Sequence, residues 1–360
     1  MATSKKNDQQ NNNPQPKTIM ITGATGYVAG HIVKLLLENG HHVHAPVRDP
    51  KSTDKLKYLN EIASKNPGTI KYFKADLLNE GSYQEAMDNC EIVIHSASPF
   101  TTNVKDPQKD LVDPALLGTR NVLNEASKTS SVKRVVLTSS VAAIYSDNVD
   151  LKKTKNNIFT EEHWNTSSSL EHQPYYYSKT VAEREAWKIA GGQTQWKLVV
   201  VNPSLVIGPG INPNSTSESL KIVKQFGDGT AKSGLPKMGL GAVDVRDVAQ
   251  AHYNAAFLPD ANGRHIVSGH NTDLYELASS LQDKFGDNYP IPKNTIPKFL
   301  VWAVGPLLNE SFNRKTISLN MGLPWKADNS KSKEELNVTY RPLKKSMEEF
   351  FQQIADYHLS

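Results

Sequence analysis

The 360-residue chain has little of what defines several large protein classes. It has one cysteine, Cys90, which excludes an internal disulfide framework and a zinc site built from several cysteines. Its charges nearly balance, with 41 Lys and Arg against 37 Asp and Glu, which argues against a nucleic-acid partner. The single cysteine also fits a reducing compartment, and we expect a cytoplasmic protein.

Long apolar runs are missing as well. The longest run, Phe299–Leu308, is well short of the roughly 20 residues that span a bilayer, and we expect no membrane partner. We predict that this run is a core helix or a pocket wall, with contact to a membrane surface as the alternative. Large apolar residues are almost absent from the Asn- and Gln-rich N-terminus, so residues 1–17 are predicted to form a disordered tail without a targeting signal.

A glycine-rich stretch, Thr22–Gly30, organises the rest of the chain. It follows a short apolar strand at Ile19–Ile21 and enters an amphipathic helix that Gly40 is placed to end. Strand, glycine turn and helix form the context of a dinucleotide-binding fingerprint. Gly23 would permit the tight turn, and Gly26 would let the backbone approach a pyrophosphate at the helix N-terminus. A glycine-rich turn without a ligand is the alternative.

Short apolar strands alternate with helical patterns up to Pro203, and this predicts a Rossmann-type, doubly wound parallel sheet in an α/β protein. We expect residues 18–205 to form the nucleotide-binding domain, with 241–263 packing back on it. Residues 206–240 and 264–358 should form a smaller lobe over the carboxyl edge of the sheet, where ligands of open α/β sheets bind.

Tyr175 and Lys179 are the first candidate catalytic pair. They lie four residues apart in a proline-free segment, so on a helix their side chains are neighbours. The other two Tyr-x-x-x-Lys pairs, which begin at residues 289 and 340, contain proline and cannot form regular helical pairs. A fixed ammonium beside a phenol lowers the phenol pKa, which suits proton exchange with a carbonyl or alcohol oxygen. An aromatic surface turn with an ordinary lysine is the alternative.

Ser139 and Ser140 supply the hydroxyl of the candidate site. They follow the fifth apolar strand, so they should face the crevice and could bond a substrate oxygen. An isolated Ser/Thr turn would more often be structural. The glycine turn, this hydroxyl and the Tyr175/Lys179 pair nevertheless all point to one cleft.

Together these motifs resemble those of extended short-chain dehydrogenases/reductases, in the branch of dihydroflavonol, cinnamoyl-CoA and fungal aldehyde or methylglyoxal reductases. The resemblance also rests on Asp76-Leu77, His95–Phe100, Asn202-Pro203 and Asp244–Ala249. It implies that Ser140 positions the substrate oxygen, with Ser139 as second candidate. It further implies that Tyr175 donates a proton and that Lys179 holds the nicotinamide ribose.

The resemblance implies a set of cofactor contacts for NADPH or NADP. Asp76 and Leu77 would contact adenine, while Ala97 and 203–205 would line the nicotinamide side. Two departures stand out: Ala29 replaces a third glycine, and Leu117 stands where many relatives have a polar residue, which leaves a proton relay there in doubt. The predicted cofactor-binding residues are Gly23, Thr25, Gly26, Tyr27, Val28, Arg48, Lys55, Asp76, Leu77, Ala97, Lys179, Pro203, Ser204 and Leu205.

The end of the second strand indicates which coenzyme is used. NAD-specific Rossmann folds place an acidic residue there, and it would repel a 2′-phosphate. Here Arg48 and then Lys55 follow the strand, and relatives have Arg and Lys at matching positions. Arg48 can form a bidentate contact with phosphate, which favours NADPH. Asp49 could instead serve an NAD ribose.

The residues after Ser140 indicate the substrate class. They run Val141 to Tyr145 with almost no polarity, and relatives that act on flavonoids tend to have a polar residue at the position of Ile144. We therefore expect a carbonyl reductase for small or medium, largely apolar aldehydes and ketones. The predicted substrate-binding residues are Phe100, Val141, Ile144 and Tyr176.

Other functions remain open at this stage. One alternative is an NAD(P)-dependent hydroxysteroid-type dehydrogenase or sugar-nucleotide epimerase on the same fold. A non-catalytic NADP-binding sensor is the other, although the presence of Ser140, Tyr175 and Lys179 argues against it. We expect no metal, a small-molecule carbonyl substrate, and a monomer or homodimer.

Overall fold

The structure is a computed structural model that describes residues 15–98, 104–214, 217–308 and 313–359. Most of the predicted tail therefore lies outside the described residues. The predicted end of the tail at residue 17 is corrected, because Lys17 belongs to the folded part. Its Nζ forms an ion pair with Glu91 at 2.6 Å, and its backbone N–H donates to His41.

Strands and helices alternate through the first half of the chain. The strands are β1 (Thr18–Thr22), β2 (His42–Val47), β3 (Thr69–Lys74), β4 (Ile92–His95), β5 (Arg134–Thr138), β6 (Lys197–Pro203), β7 (Leu205–Ile207), β8 (Leu235–Pro236), β9 (Gly239–Asp244), β10 (Gly263–Val267), β11 (His270–Asp273) and β12 (Thr295–Ile296). The α-helices are α1 (Tyr27–Glu38), α2 (Thr53–Ala63), α3 (Gln84–Met87), α4 (Asp113–Lys128), α5 (Pro174–Gly191), α6 (Glu218–Gln225), α7 (Val245–Phe257), α8 (Leu274–Ser279), α9 (Gln282–Phe285), α10 (Lys298–Leu308), α11 (Arg314–Asn320), α12 (Ser330–Glu335) and α13 (Leu343–His358).

Seven strands form one parallel sheet in the order β10-β6-β5-β4-β1-β2-β3. Ile19, Met20 and Ile21 of β1 are all fully buried, as expected for a strand covered on both faces. Helix α1 covers one face with Ile32, Val33, Leu36 and Leu37, and it ends before Gly40, whose φ is +79°. The predicted Rossmann-type doubly wound sheet is confirmed.

Helix α7 packs beside α1 on the same face of this sheet. Its residues Val248, Ala251 and Ala255 share a buried cluster with Ile32 and Leu36 of α1. The apolar face of α7 therefore packs on the main sheet, although residues 204–238 between β6 and β9 lead away from it. The division into this part and a smaller lobe remains a prediction.

The predicted start of the lobe at residue 264 is corrected by β10. This strand pairs in parallel with β6, with Arg264 opposite Val200, so it is the edge strand of the main sheet. Beyond it, β7, β9 and β11 form a small sheet, and β8 pairs with β12. Helix α13 closes a separate core there with Phe350, Phe351 and Ile354.

Helix α10 contains the longest apolar run of the chain and is largely exposed. Phe299 is 70% exposed and Leu307 is 84% exposed, and the Trp302 ring packs under the guanidinium of Arg314 at 4.6 Å. The prediction of a core helix for Phe299–Leu308 is therefore wrong, because this helix packs chiefly against the short α11. Among the described residues, no helix is long and apolar enough to cross a membrane.

Candidate active site

The glycine turn between β1 and α1 has the geometry of a cradle for a pyrophosphate. Gly23 has a φ of +72°, and a Cβ there would lie 3.0 Å from the Ala97 backbone. Gly26 begins the helix without a side-chain cap among the described residues, so the N–H groups of its first turn face outward. Thr25 is exposed at the same turn. Positive φ, close backbone approach and open N–H groups fit a dinucleotide.

The Tyr27 side chain points away from this cradle. Its hydroxyl donates to the Gly208 carbonyl at 2.5 Å, and its ring stacks on Phe350 of α13 at 6.2 Å. Burial and the nearby Asp244 carboxylate raise the pKa of Tyr27 well above its ordinary value. Tyr27 and Val28 can therefore contact a nucleotide through the backbone of the first turn, while the Tyr27 ring holds the turn against α13.

The basic residues predicted for the 2′-phosphate lie beside the cradle. Arg48 is exposed directly after β2. Lys55 lies on α2 and lines a small cavity together with Thr25, Gly26 and the backbone segment around Asn212. Both side chains are on the surface, where they can meet a phosphate.

Asp76 and Leu77 follow β3, the edge strand that pairs with β2. Asp76 closes a local turn by accepting from the Leu78 N–H at 2.9 Å and from the Ser82 hydroxyl at its carbonyl. Leu77 packs on Gly118 of α4, where a Cβ would lie 2.5 Å from the Leu77 side chain. Gly118 therefore matters for packing, and its neighbour Leu117 is 43% exposed.

Lys179 reaches across the cleft from α5. Its Nζ donates to the Ser98 hydroxyl at 3.0 Å and lies 5.8 Å from the centre of the Tyr175 ring. Burial lowers the pKa of Lys179 to about 8. The predicted pair is thus formed, and Lys179 also reaches the segment after β4 that contains Ala97.

Tyr175 lies in the first turn of α5, and its ring is 45% exposed at the cleft. Burial of its surroundings, with Tyr176 adding to it, raises the pKa of Tyr175 to about 12, and a hydrogen bond with Ser140 opposes this shift. The pKa of Tyr175 is thus raised and not lowered as predicted, because burial outweighs the hydrogen bond with Ser140. Ser140 nevertheless lies close enough to the phenol to oppose this shift, so the serine and tyrosine candidates lie together.

The two adjacent serines have different partners. Ser139 is buried, and its hydroxyl donates to Glu183 at 2.5 Å. Ser140 is half-buried, and its Oγ accepts from the Ala142 N–H at 3.1 Å and so caps the 3₁₀ turn Val141–Ala143. Of the two, Ser140 is the one beside Tyr175.

The segment 203–205, which is predicted to line the nicotinamide, crosses from β6 to β7. The Ser204 N–H donates to Val267 of β10 at 3.1 Å, and Pro203 ends β6 opposite the same residue. The Ser204 hydroxyl is buried without a partner among the described residues. Buried polar groups are normally paired, so this unpaired hydroxyl beside Leu205 also fits a bound ligand.

The predicted substrate-binding residues are only partly at the cleft. Val141 and Ile144 are 8% and 2% exposed and belong to an aromatic cluster with Tyr145, Phe159 and Trp325. Their side chains pack within this cluster, and direct substrate contact for Val141 and Ile144 stays a prediction. Tyr176 lies at the edge of the cluster, half-buried, while Phe100 lies outside the described residues.

Two buried carboxylates next to the site were missed by sequence reasoning. Asp147 accepts hydrogen bonds from Asn320 and, at 2.6 Å, from His172. His172 directly precedes Gln173, the residue with left-handed backbone conformation at which α5 begins. Glu183 lies one turn after Lys179 and accepts from Ser139 and other buried groups. The signal for Glu183 was available, since a charged residue on the apolar face of a helix is unusual.

A metal has no prepared place in the part of the chain that the structure describes. No group of three or more His, Cys, Asp or Glu side chains there could hold one. Two buried histidines are paired instead: His95 at the end of β4 bonds Thr22 at 2.9 Å, and His252 of α7 bonds Thr138 at 2.7 Å. Burial lowers their pKa values to about 3 and about 4, so neither supplies a proton near neutral pH.

Comparison with known proteins identifies the family. The profile of the NAD dependent epimerase/dehydratase family matches residues 19–269. The chain belongs to this family. It is an extended short-chain dehydrogenase/reductase, as the motifs predicted, and it is therefore an enzyme of an NAD(P)-dependent oxidoreductase family.

Similar sequences are reductases from plants. Cinnamoyl-CoA reductase CAD2 of Medicago truncatula is 38% identical over 284 residues, which cover 76% of this chain and 85% of that protein. Dihydroflavonol 4-reductase of Gerbera hybrida is 32% identical over 279 residues, with 76% and 74% covered.

Similar structures come from fungi. Yeast methylglyoxal/isovaleraldehyde reductase Gre2 in complex with NADPH has a TM-score of 0.76 at 26% identity and covers 94% of this chain and 98% of its own. Gre2 of Candida albicans, also in complex with NADPH, has a TM-score of 0.75 at 29% identity, with 95% and 100% covered.

Proposed function

We propose that the protein is an NADPH-dependent carbonyl reductase that converts aldehydes and ketones to alcohols. The observation that carries the proposal is the meeting of Ser140, Tyr175 and Lys179 in one cleft that ends at the glycine turn. A non-catalytic sensor of the same fold would have no need of all three groups in one cleft.

Each of the three side chains has a distinct role in this proposal. When bound, NADPH supplies the hydride for the carbonyl carbon. Tyr175, whose pKa is about 12, is a neutral phenol at pH 7 and can give its proton to the carbonyl oxygen. Ser140 orients that oxygen by hydrogen bonding, and Lys179 holds the ribose and stabilises the phenolate left on Tyr175. Solvent then returns the proton to Tyr175.

Arg48 and Lys55 support NADPH over NADH as the coenzyme. Both are exposed beside the glycine turn, where a 2′-phosphate would neutralise them. The neighbouring Asp49 carboxylate already accepts from the Lys51 N–H at 3.0 Å. Complexes of two Gre2 reductases with NADPH add support from similar proteins.

An apolar carbonyl compound fits the substrate side best. The half-buried Tyr176 lies at the edge of the apolar cluster of Tyr145, Phe159 and Trp325, and an aromatic wall at this point would leave the hydroxyls of a sugar or a polyphenol unpaired, at about 1–3 kcal/mol each. Similarity to a methylglyoxal/isovaleraldehyde reductase agrees with small aldehydes.

A screen of NADPH oxidation tests the proposal. The purified protein is assayed with short aldehydes, α-dicarbonyls, aryl ketones, dihydroflavonols, cinnamoyl-CoA and nucleotide sugars, each with NADPH and with NADH. We expect the highest kcat/KM for apolar aldehydes or ketones with NADPH. Binding of NADP without turnover of any carbonyl would favour a sensor, and faster turnover of flavonoids or nucleotide sugars would refute the proposed substrate class.

A further inference from the structure

The carboxylate side chain of Glu183 is buried in the protein interior. It lies on α5, is 1% exposed, and faces the carboxyl ends of the central strands. Burial of a carboxylate is costly unless every oxygen is paired. The groups that pair it show what it holds together.

The carboxylate joins three strands to the helix. Its Oε2 accepts from the Ser139 hydroxyl after β5 at 2.5 Å and from the Asn202 amide of β6 at 2.7 Å. Its Oε1 accepts from Nε of Arg264 on β10 at 2.5 Å and from the Trp187 indole at 3.3 Å. One side chain thereby fixes the spacing between α5 and the strand ends.

The same partners extend to the backbone of the serine segment. Asn202 Nδ2 also donates to the Ser140 carbonyl at 3.0 Å, and Arg264 donates to the Ala143 carbonyl at 3.2 Å. Arg264 is itself held by the Trp164 ring, 3.9 Å from the guanidinium carbon. Ser140 is therefore held from both sides by groups that bond to Glu183.

We propose that Glu183 is a positioning residue that sets the serine segment against Tyr175 and Lys179. Glu183 follows Lys179 by one helical turn and Tyr175 by two, so its bonds fix the part of α5 that carries both. A buried ion pair adds little stability over apolar side chains of similar size, but its directed bonds hold one geometry. The inference rests on the proposed reductase function.

The test compares kcat of three variants, each expressed per NADPH-binding site. Glu183→Gln keeps the shape and removes the charge, while Ser139→Ala removes one hydroxyl and leaves the ion pair. Glu185→Gln is the control, because Glu185 lies on the same helix and pairs with Arg120 at 2.8 Å on the outer side. Active sites are counted by NADPH titration, so that a loss of folded protein is not read as a loss of rate.

We expect kcat per NADPH site to fall about 10- to 100-fold in Glu183→Gln, the usual scale for a small misplacement of reacting groups. Ser139→Ala should lose about 3- to 10-fold in kcat, with KM for the carbonyl within about twofold of wild type. Glu185→Gln should keep the wild-type kcat. Unchanged kcat per site in Glu183→Gln and Ser139→Ala would overturn the inference, and if Glu183→Gln does not fold, Ser139→Ala decides alone.

A measurement without turnover separates this inference from the proposed function. Crystal structures of the wild type and Ser139→Ala are superposed on the main sheet, and the separation of Tyr175 Oη and Ser140 Oγ is compared. A change above about 0.5 Å supports a positioning role, and an unchanged separation overturns it, even if the wild type reduces no carbonyl.

Discussion

At the nucleotide end of the cleft, the cradle comes from neighbouring residues: Gly23 and Gly26 bend the chain, and α1 follows at once. At the reacting end, buried side chains such as Glu183 and Arg264 join α5 to the ends of β5 and β6 and to the start of β10. The nucleotide end is set by backbone conformation within a few residues. The reacting end is set by contacts between residues up to 121 positions apart, as between Ala143 and Arg264. Substitutions at the two ends should therefore fail in different ways, in coenzyme affinity at one and in turnover at the other.

The largest effect is expected at the reacting end. Tyr175→Phe removes only the hydroxyl, and we expect kcat to fall by about 10²-fold or more, the usual scale for a lost general acid, while the NADPH Kd stays near wild type. Tyr177→Phe is the matched control two positions along the same helix, and it should keep its activity. Near wild-type turnover in Tyr175→Phe would refute the assignment of the acid.

At the nucleotide end, Arg48→Ala should change coenzyme choice and leave kcat with saturating NADPH nearly unchanged. Loss of a hydrogen-bonded charge pair costs about 1.5–3 kcal/mol, so the ratio of kcat/KM for NADPH to that for NADH should fall about 10- to 100-fold. Lys57→Ala, an exposed lysine on α2, serves as control. A ratio that does not respond to Arg48→Ala would return Asp49 and an NAD ribose to consideration.

Gly23→Ala probes the cradle itself, with Gly40→Ala as its matched control. Both glycines have positive φ, +72° and +79°, so each substitution should cost about 1–2 kcal/mol in the free energy of unfolding. Only at Gly23 would the new Cβ also press on Ala97, since no described atom lies within 4 Å of it at Gly40. We expect the NADPH Kd to rise about tenfold in Gly23→Ala alone. Equal Kd values for both variants would show that the turn does not hold the coenzyme.

The same contrast explains what could be predicted from the sequence. The parallel sheet, the glycine turn and the Tyr175/Lys179 pair are local patterns, and the structure places them as their spacing indicated. The pairing of Arg264 with Glu183 depends on β10 joining β6, which no local pattern specifies. The pKa of Tyr175 was predicted in the wrong direction because burial depends on the whole fold.

Lys179 lies between the nucleotide end and the reacting end of the cleft, and it should make kcat/KM for NADPH depend on pH. Its pKa of about 8 means that the ammonium is lost as pH rises through 8, and the interaction with the ribose weakens with it. Because kcat/KM for NADPH reports groups of the free enzyme, it should fall roughly fourfold from pH 7 to 8.5. In Lys179→Arg the fall of kcat/KM with rising pH should move beyond pH 10, because the guanidinium keeps its charge. A flat profile in the wild type up to pH 10 would contradict the lowered pKa.

The smallest effect is expected outside both ends, on α10. Leu307 is 84% exposed, so Leu307→Ser removes almost no buried surface and should change the free energy of unfolding by less than about 0.5 kcal/mol. Leu36→Ala, in the fully buried core at the end of α1, should cost about 2–5 kcal/mol by the same chemical unfolding measurement. An equal loss in both variants would mean that α10 is covered in solution, by the chain itself or by a second copy. A dependence of the Leu307→Ser effect on protein concentration would then identify the second copy as the cover.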